Sequence, residues 1–329
     1  VSAEPLTYES GLGAELAAFV AYKRALARRY DTEERSLRLF DRYLAARDVT
    51  RSIDVTPELI EAFLASRPRA RPRSYNHLRG VLDRFFAWLV EQEAIPCSPV
   101  RVPPRRVTGK RLPYLFSPQE AKRLFEIAAR LPDQPRGPLR GPTYELIFAL
   151  LYGLGLRVGE VSRLTGADVD LDQEFLIIRK TKFQKSRLVP FGPRMAARLT
   201  HYKELREARF GQRPSALPFF SFGHDRPINP CTISQTFHRL VPVLGLTVPP
   251  GVAYPRLHDL RHSFAVARLL RWYREGVDPG ERLLALSTFL GHVGPVTTAE
   301  YLTITGDLLA EADRRFRAFA LPLGTGGVR

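Results

Sequence analysis

Sulfur is scarce in this chain: 329 residues hold two cysteines, Cys97 and Cys231, and one methionine. Two thiols cannot build a disulfide framework or a four-thiolate zinc site, so both cysteines read as packing residues. Long apolar runs are missing as well. The longest, Leu146 to Leu156, is broken by Tyr152, Gly153 and Gly155 and falls short of the roughly 18–20 residues that cross a bilayer. The first twenty residues carry Glu4, Glu9 and Glu15 and no basic opening stretch, which argues against a secretory signal. There is no Gly-x-x-x-x-Gly-Lys-Ser/Thr loop, no His-Glu-x-x-His and no dinucleotide fingerprint after a strand. An ATP-driven machine and a zinc enzyme therefore have no support, and neither a cofactor nor a metal is expected. The chain reads as soluble and cytoplasmic, without a membrane partner.

Acid is also in deficit. Against 50 Lys and Arg stand 34 Asp and Glu, a net charge of +16 that suits a polyanionic partner, nucleic acid first. The excess is uneven: residues 1–100 hold 15 basic and 14 acidic side chains, whereas residues 101–141 hold 10 and 3. The stretch Arg101-Val-Pro-Pro-Arg-Arg-Val-Thr-Gly-Lys-Arg111 has five cations and no acid. Its Pro-Pro step and lack of apolar period make it an extended linker that can follow a phosphate backbone. A second cationic run, Arg67-Pro-Arg-Ala-Arg-Pro-Arg73, sets four arginines at alternate positions ahead of a helix. Arg69, Arg71, Arg73, Arg105, Arg106, Lys110 and Arg111 are accordingly the candidate phosphate contacts.

The apolar pattern divides the chain. Residues 11–97 carry helical spacing in four stretches, among them Leu12, Leu16, Phe19 and Val20, then Leu78, Leu82, Phe85, Phe86 and Leu89. Thr56-Pro57-Glu58 is a helix start, with a capping hydroxyl followed by proline in the first turn. A basic linker over 98–116 leads to a second domain over 117–320, opened by Ser117-Pro118-Gln119-Glu120, and a tail over 321–329. In the second domain the period changes at Phe175–Ile178 and Arg187–Phe191, two β-branched and apolar runs that predict a hairpin. Helical spacing returns at 193–209, 230–244, 256–274, 280–290 and 307–320. The expected architecture is an all-α domain followed by a mostly helical α+β domain with one small sheet.

Chemistry-bearing residues are spread along the second domain. Arg157 follows the turn Gly153-Leu-Gly155, with Glu160 three residues on, placed to brace the guanidinium. His258 and Arg261 stand one above the other at i, i+3 on a helix. His292 ends Leu290-Gly-His292, and Tyr301 follows nine residues later. Each of these alone is commonplace. In this order, with a lysine in the hairpin between, they are similar to the catalytic set of the tyrosine recombinase (phage integrase) family. The matching pieces are Gly155-Leu-Arg157-Val-Gly-Glu160, Thr181-Lys182-Phe-Gln-Lys-Ser-Arg-Leu-Val-Pro190, His258-Asp-Leu-Arg261-His262, Leu290-Gly-His292 and Tyr301. The N-terminal stretch Tyr75-Asn-His-Leu-Arg-Gly-Val-Leu-Asp-Arg-Phe-Phe-Ala-Trp88 resembles the family's SAM-like core-binding module. The likeness runs over about 11–316 and implies the DNA breaking-rejoining fold. The residues Val293-Gly-Pro-Val-Thr-Thr-Ala-Glu300 are reminiscent of recombinases carried by transposons.

The resemblance implies a site-specific recombinase that cuts and rejoins DNA through a 3′-phosphotyrosyl link, without ATP or metal. Arg157 and Arg261 would clamp the non-bridging oxygens, and His258 and His292 would add donors. His258 would also take the proton of Tyr301, the nucleophile, and Lys182 would protonate the leaving 5′-oxygen. The family often has glycine on each side of that lysine, where Thr181 and Phe183 stand here, so Lys180 and Lys185 remain alternatives. The implied partners are double-stranded DNA, three further copies of the chain in a tetramer on paired sites, and accessory recombination proteins. The helix over 307–320 suits docking on a neighbour or on its own domain. Two other activities fit parts of the pattern. A type IB topoisomerase shares the nucleophile and the clamp, and an inactive DNA-binding protein of the same fold shares the charge. A core-binding module and a full set of competent residues favour the recombinase.

Overall fold

The structure is a computed structural model that describes residues 8–107, 112–179, 186–222, 225–292, 294, 296–299 and 301. By its contacts the chain forms two compact units that divide between Lys110 and Arg111.

The first unit is helical: α1 (Gly13–Ala25), α2 (Asp31–Ala45), α3 (Pro57–Ala65) and α4 (Pro72–Glu91). The predicted stripes form its core, with Leu16, Phe19, Leu37, Phe40, Ile60, Phe63, Leu82, Phe85 and Phe86 all buried. Rings of Phe40 and Phe63 meet edge to face at 5.0 Å, a geometry that adds to simple burial. Thr56 caps α3 by accepting the Leu59 N–H at 3.3 Å. The basic segment after α4 is docked over part of its length. Val100 is buried in this core with Val102 packed against it, and Arg79 donates to the Val102 carbonyl at 2.7 Å. Asn76 of α4 holds Arg105 by both main-chain groups, at 2.8 Å each.

The second unit is built round α6 (Arg140–Gly153), which packs against α5 (Pro118–Ala129), α8 (Pro193–Phe210) and α10 (Asp259–Arg274). Its residues from Tyr144 to Leu151 are buried except Glu145, as expected of a helix that is apolar on every side. The Ser117–Glu120 pair forms a reciprocal capping box at the start of α5. After α6 come the short α7 (Val158–Ser162) and an antiparallel sheet of β1 (Val169–Asp170), β2 (Phe175–Ile178) and β3 (Arg187–Pro190), in that order. Leu176 pairs with Val189 and Ile178 with Arg187, which turns Leu176, Ile178 and Val189 into the core. β1 has two residues, too few to show alternation in the sequence, and was not expected. The remaining α-helices among the described residues are α9 (Pro230–Leu240), α11 (Pro279–Leu290) and α12 (Val296–Ala299).

Two expectations need correction. Cys97 and Cys231 are both exposed rather than packed. Cys231 falls off the buried stripe of α9, Ile233, Thr236, Phe237 and Leu240, and Cys97 lies between Pro96 and Ser98 beyond α4. The helix expected from 256 starts at Asp259, because Asp259 Oδ2 accepts the Arg256 N–H at 2.9 Å and closes a turn first. Among the described residues no helix is long and apolar enough to cross a membrane. The helix expected over 307–320 and the tail over 321–329 lie outside the described residues.

Candidate active site

The site forms where the turn after α6, the start of α10 and the end of α11 meet. Gly155 adopts φ +61°, and a Cβ there would stand 2.5 Å from the Phe264 ring and 2.9 Å from Leu290. Gly291, at φ +68°, ends α11 in the left-handed conformation, and a Cβ there would meet the Arg187 guanidinium at 2.6 Å. These two turns bring main-chain oxygens close to the site, and the arginines take them.

Three consecutive carbonyls at the C-terminal end of α11 each receive a different arginine. Arg187 Nε donates to Phe289, Arg261 Nη2 to Leu290 and Arg157 Nη2 to Gly291, all at 2.8 Å. Helix ends leave their last carbonyls unpaired and carry partial negative charge, so this end suits guanidinium groups. Arg261 also donates from Nη1 to the Gly155 carbonyl at 2.6 Å. It is 1% exposed, and its buried Nε has no hydrogen-bond partner among the described residues. Burial, and then the charge of Arg157, pull its pKa down to about 10, which still leaves it a cation at neutral pH.

Glu160 is the buried counter-charge. Arg187 grips its carboxylate with both terminal nitrogens at 2.9 Å, and Arg157 adds a third contact at 2.8 Å together with its own N–H. Burial alone would raise the Glu160 pKa. The hydrogen bonds and charge of Arg187, then those of Arg157, overcome it and hold the carboxyl at about 2. Glu160 thus braces Arg157, and it ties Arg157 to β3 through Arg187.

The imidazoles stand beside these arginines. His258 stands at the start of α10 with its ring 4.7 Å from that of His262, edge to face. His292 follows Gly291; its Nδ1 lies 2.7 Å from Thr298 Oγ1, and its ring is stacked 6.2 Å from Tyr301. Desolvation is the first cause lowering all three pKa values, joined by His262 and arginines at His258 and by arginines at His292, which falls to about 4, while Asp259 opposes the shift at His262; neutral rings prevail at pH 7. Tyr301 is 4% exposed, and its hydroxyl lies 3.2 Å from His262 Nδ1. The expected partner of this phenol was His258; the ring found hydrogen-bonded to it is His262, one turn further along α10.

Arg157, Glu160, His258, Arg261, His292 and Tyr301 thus come together in one place. Lys182, with its alternatives Lys180 and Lys185, lies outside the described residues. Sequence reasoning missed Arg187 and singled out His262 only as part of a motif. The signal for Arg187 was strand alternation: it shares a face of β3 with buried Val189, and an inward cation requires a buried acid.

The first unit carries a separate cationic surface. The Arg105 guanidinium sits 3.9 Å over the Tyr75 ring and donates to the Arg69 carbonyl at 2.9 Å. The arginine-rich loop and the basic segment are thereby held side by side. Arg71, Arg73, Arg105 and Arg106 are exposed and Arg69 is half-buried. Lys110 and Arg111 lie outside the described residues.

Comparison with known proteins gives this arrangement a context. The sequence model described as the phage integrase family matches residues 115–306. The Sinorhizobium fredii protein y4rB, which carries an integrase/recombinase name, is 36% identical over 90% of this chain and 94% of its own. The tyrosine recombinase XerC of Chlorobaculum tepidum is 30% identical over 78% of this chain and 79% of its own. Among solved structures, the Tn1549 transposon integrase in complex with transposon right end DNA superposes with a TM-score of 0.64 at 17% identity. It covers 93% of this chain and 98% of that one. A lambda integrase dimer bound to a COC′ core site gives 0.63 at 17%, over 89% and 95%. At these identities the structural likeness speaks for the fold.

Proposed function

Because this chain belongs to the phage integrase family, and is therefore a site-specific DNA recombinase, we propose that Tyr301 is its nucleophile and that Arg157 and Arg261, on the end of α11, are its phosphate clamp. A phosphodiester resists attack because its charge repels a nucleophile and its alkoxide is a poor leaving group. Arg157 and Arg261 answer the first difficulty by facing the non-bridging oxygens, with the unpartnered Nε of Arg261 as a donor already desolvated. His258 and His292 add donors to the same oxygens. The Tyr301 oxygen forms the bond to phosphorus and the bond to the 5′-oxygen breaks, leaving a 3′-phosphotyrosyl link. Lys182, in the segment between β2 and β3, gives the leaving oxygen its proton. The covalent link retains the energy of the broken bond, so joining to another strand needs no ATP.

The first unit serves as the family's core-binding module. Its exposed arginines and the basic segment contact phosphates along the duplex, and several copies of the chain assemble on paired sites, with accessory proteins where the site demands them. Contacts of this kind position the protein and make binding fall steeply with salt.

The observation that carries this reading is the row of three arginines on consecutive carbonyls of α11, one of them almost wholly buried. Its test is a nicked suicide substrate cut from the flanks of the chain's own gene, incubated without ATP and with EDTA. We expect an SDS-resistant adduct that disappears in Tyr301→Phe. Salt-sensitive binding with no adduct would leave only the DNA-binding part of the reading standing.

A further inference from the structure

A half-buried titratable group beside Tyr301 is not used by the mechanism above. His262 lies on α10 between Tyr301 and a carboxylate, the order in which a base is placed between a nucleophile and the group that orients it. We propose that His262, backed by Asp259, accepts the proton of the Tyr301 hydroxyl as that oxygen attacks phosphorus. The inference rests on Tyr301 being the nucleophile.

Helix geometry sets up the row. Asp259 and His262 are at i, i+3 on the first turn of α10, so their side chains share a face. His262 Nε2 is 4.0 Å from Asp259 Oδ1, beyond hydrogen-bond reach but near enough for the carboxylate's charge to favour a proton on Nε2, while Nδ1 on the other side of the ring is 3.2 Å from the Tyr301 hydroxyl. A proton held on Nε2 toward the carboxylate leaves Nδ1 as the acceptor. Asp259 is fully buried and kept in place by Arg256, whose N–H donates to Oδ2 at 2.9 Å and whose Nη2 donates to Oδ1 at 3.1 Å. The ring itself is confined by the His258 ring on one side and Tyr301 on another.

The titratable and charged groups round His262 are His258, Asp259 and Arg261 on its own helix, Arg256 before it, and Tyr301 and His292 from the segments packed against it. Desolvation, with the charges of Arg256 and Arg261, lowers its pKa against the opposing pull of Asp259, so the neutral base is present at pH 7. In the forward step the Oη–phosphorus bond forms, the phenol proton passes to Nδ1, the phosphorus–O5′ bond breaks, and O5′ takes its proton from the hairpin lysine. Rejoining runs these transfers backward, with His262 returning the proton to the phenolate, so protons balance over the cycle.

The test is the single-turnover rate of adduct formation by the full chain on the nicked substrate, with either oxygen or a bridging sulfur at the 5′ leaving position. Gln in place of His262 can still hydrogen-bond the phenol and cannot hold its proton. We expect His262→Gln to lower the rate by about 10²–10⁴-fold at unchanged DNA affinity, and the sulfur leaving group not to restore it. Free imidazole should restore part of the rate of His262→Ala. The wild-type rate should fall as pH drops through the His262 pKa, and this inflection should be absent in His262→Gln. A near-wild-type rate in His262→Gln would reduce His262 to a positioning residue and overturn the proposal. Rescue by sulfur would move its action to the leaving group, and loss of the inflection in His258→Gln alone would give the role to His258; both overturn it. An adduct that survives Tyr301→Phe would overturn the nucleophile instead, so the two readings fail by different signs.

Discussion

Arg261 in the second unit and Arg105 in the first each donate to main-chain oxygen, yet their surroundings differ in almost every other respect. Arg261 is held by the carbonyls of Gly155 and Leu290, almost wholly buried, and its Nε has no hydrogen-bond partner among the described residues. Arg105 lies over Tyr75, reaches the Arg69 carbonyl and faces solvent. A desolvated cation is costly to hold, and it acts at full strength on charge that develops beside it. A solvated cation is cheap to hold and screened by salt, so it contributes affinity and register. The two regions share a charge and a residue type. Burial separates them, and on the proposed mechanism it is what fits one group to the transition state and the other to the duplex.

The sharpest way to break this contrast is to keep the charge and change the shape. Arg261→Lys leaves a cation but cannot reach the Gly155 and Leu290 carbonyls with one planar fork. We expect adduct formation to fall by about 10³-fold while DNA affinity stays within a few-fold, read from single-turnover cleavage and from equilibrium binding. If Arg105→Ala slowed cleavage as much at saturating DNA, burial would not be what distinguishes the regions.

Next in size is the counter-charge. Glu160→Gln leaves Arg157 and Arg187 facing a neutral amide in a buried site, which should cost about 3–5 kcal/mol in denaturant unfolding of the second unit. The same carboxylate sets an acid limit. Its folded pKa of about 2 lies below the ordinary 4.5, so its stabilising effect is complete above the ordinary value. It is lost as pH falls from there through about 2. Acid unfolding in that window should be flatter in Glu160→Gln.

Arg187 comes third, since it acts on Arg157 through Glu160 and on the α11 end through the Phe289 carbonyl. Arg187→Met removes the tie and allows Arg157 to shift. A displacement of order 1 Å of a clamp residue justifies an expected rate loss of about 10²-fold, with binding unaltered. A rate that fell only in step with DNA affinity would put Arg187 with the exposed arginines instead.

Much of this arrangement was legible in the sequence, for identifiable reasons. Helices with strong stripes, such as α4 with Leu78, Leu82 and Phe85, announce themselves because one face must be buried. Gly155 and Gly291 flank the very residues their turns position, so Arg157 and His292 could be found beside them. What escaped was set by contacts distant in the chain. Arg187 and Glu160 are 27 residues apart, and His262 and Tyr301 are 39 apart. No local pattern says that His262, rather than His258, will meet the phenol. Packing of the Tyr301 segment against α10 decides it. The docking of Val100 and Val102 was hidden in the same way, under a composition that reads as linker.

The smallest expected effect belongs to the first unit, and it tests the solvated half of the contrast. Arg105 is ordered by Asn76, Tyr75 and the Arg69 carbonyl, so its side chain loses little freedom on meeting a phosphate. Arg105→Ala should weaken DNA binding several-fold at moderate salt and reduce the slope of log affinity against log salt by about one. Asn76→Ala frees the Arg105 backbone without removing charge, so it should weaken binding less and leave the salt slope as it was. Cleavage at saturating DNA should be unchanged in both. A slope that moved with Asn76→Ala would mean that the loop and the basic segment engage phosphates only when locked together, and that order as well as charge underlies binding on this surface too.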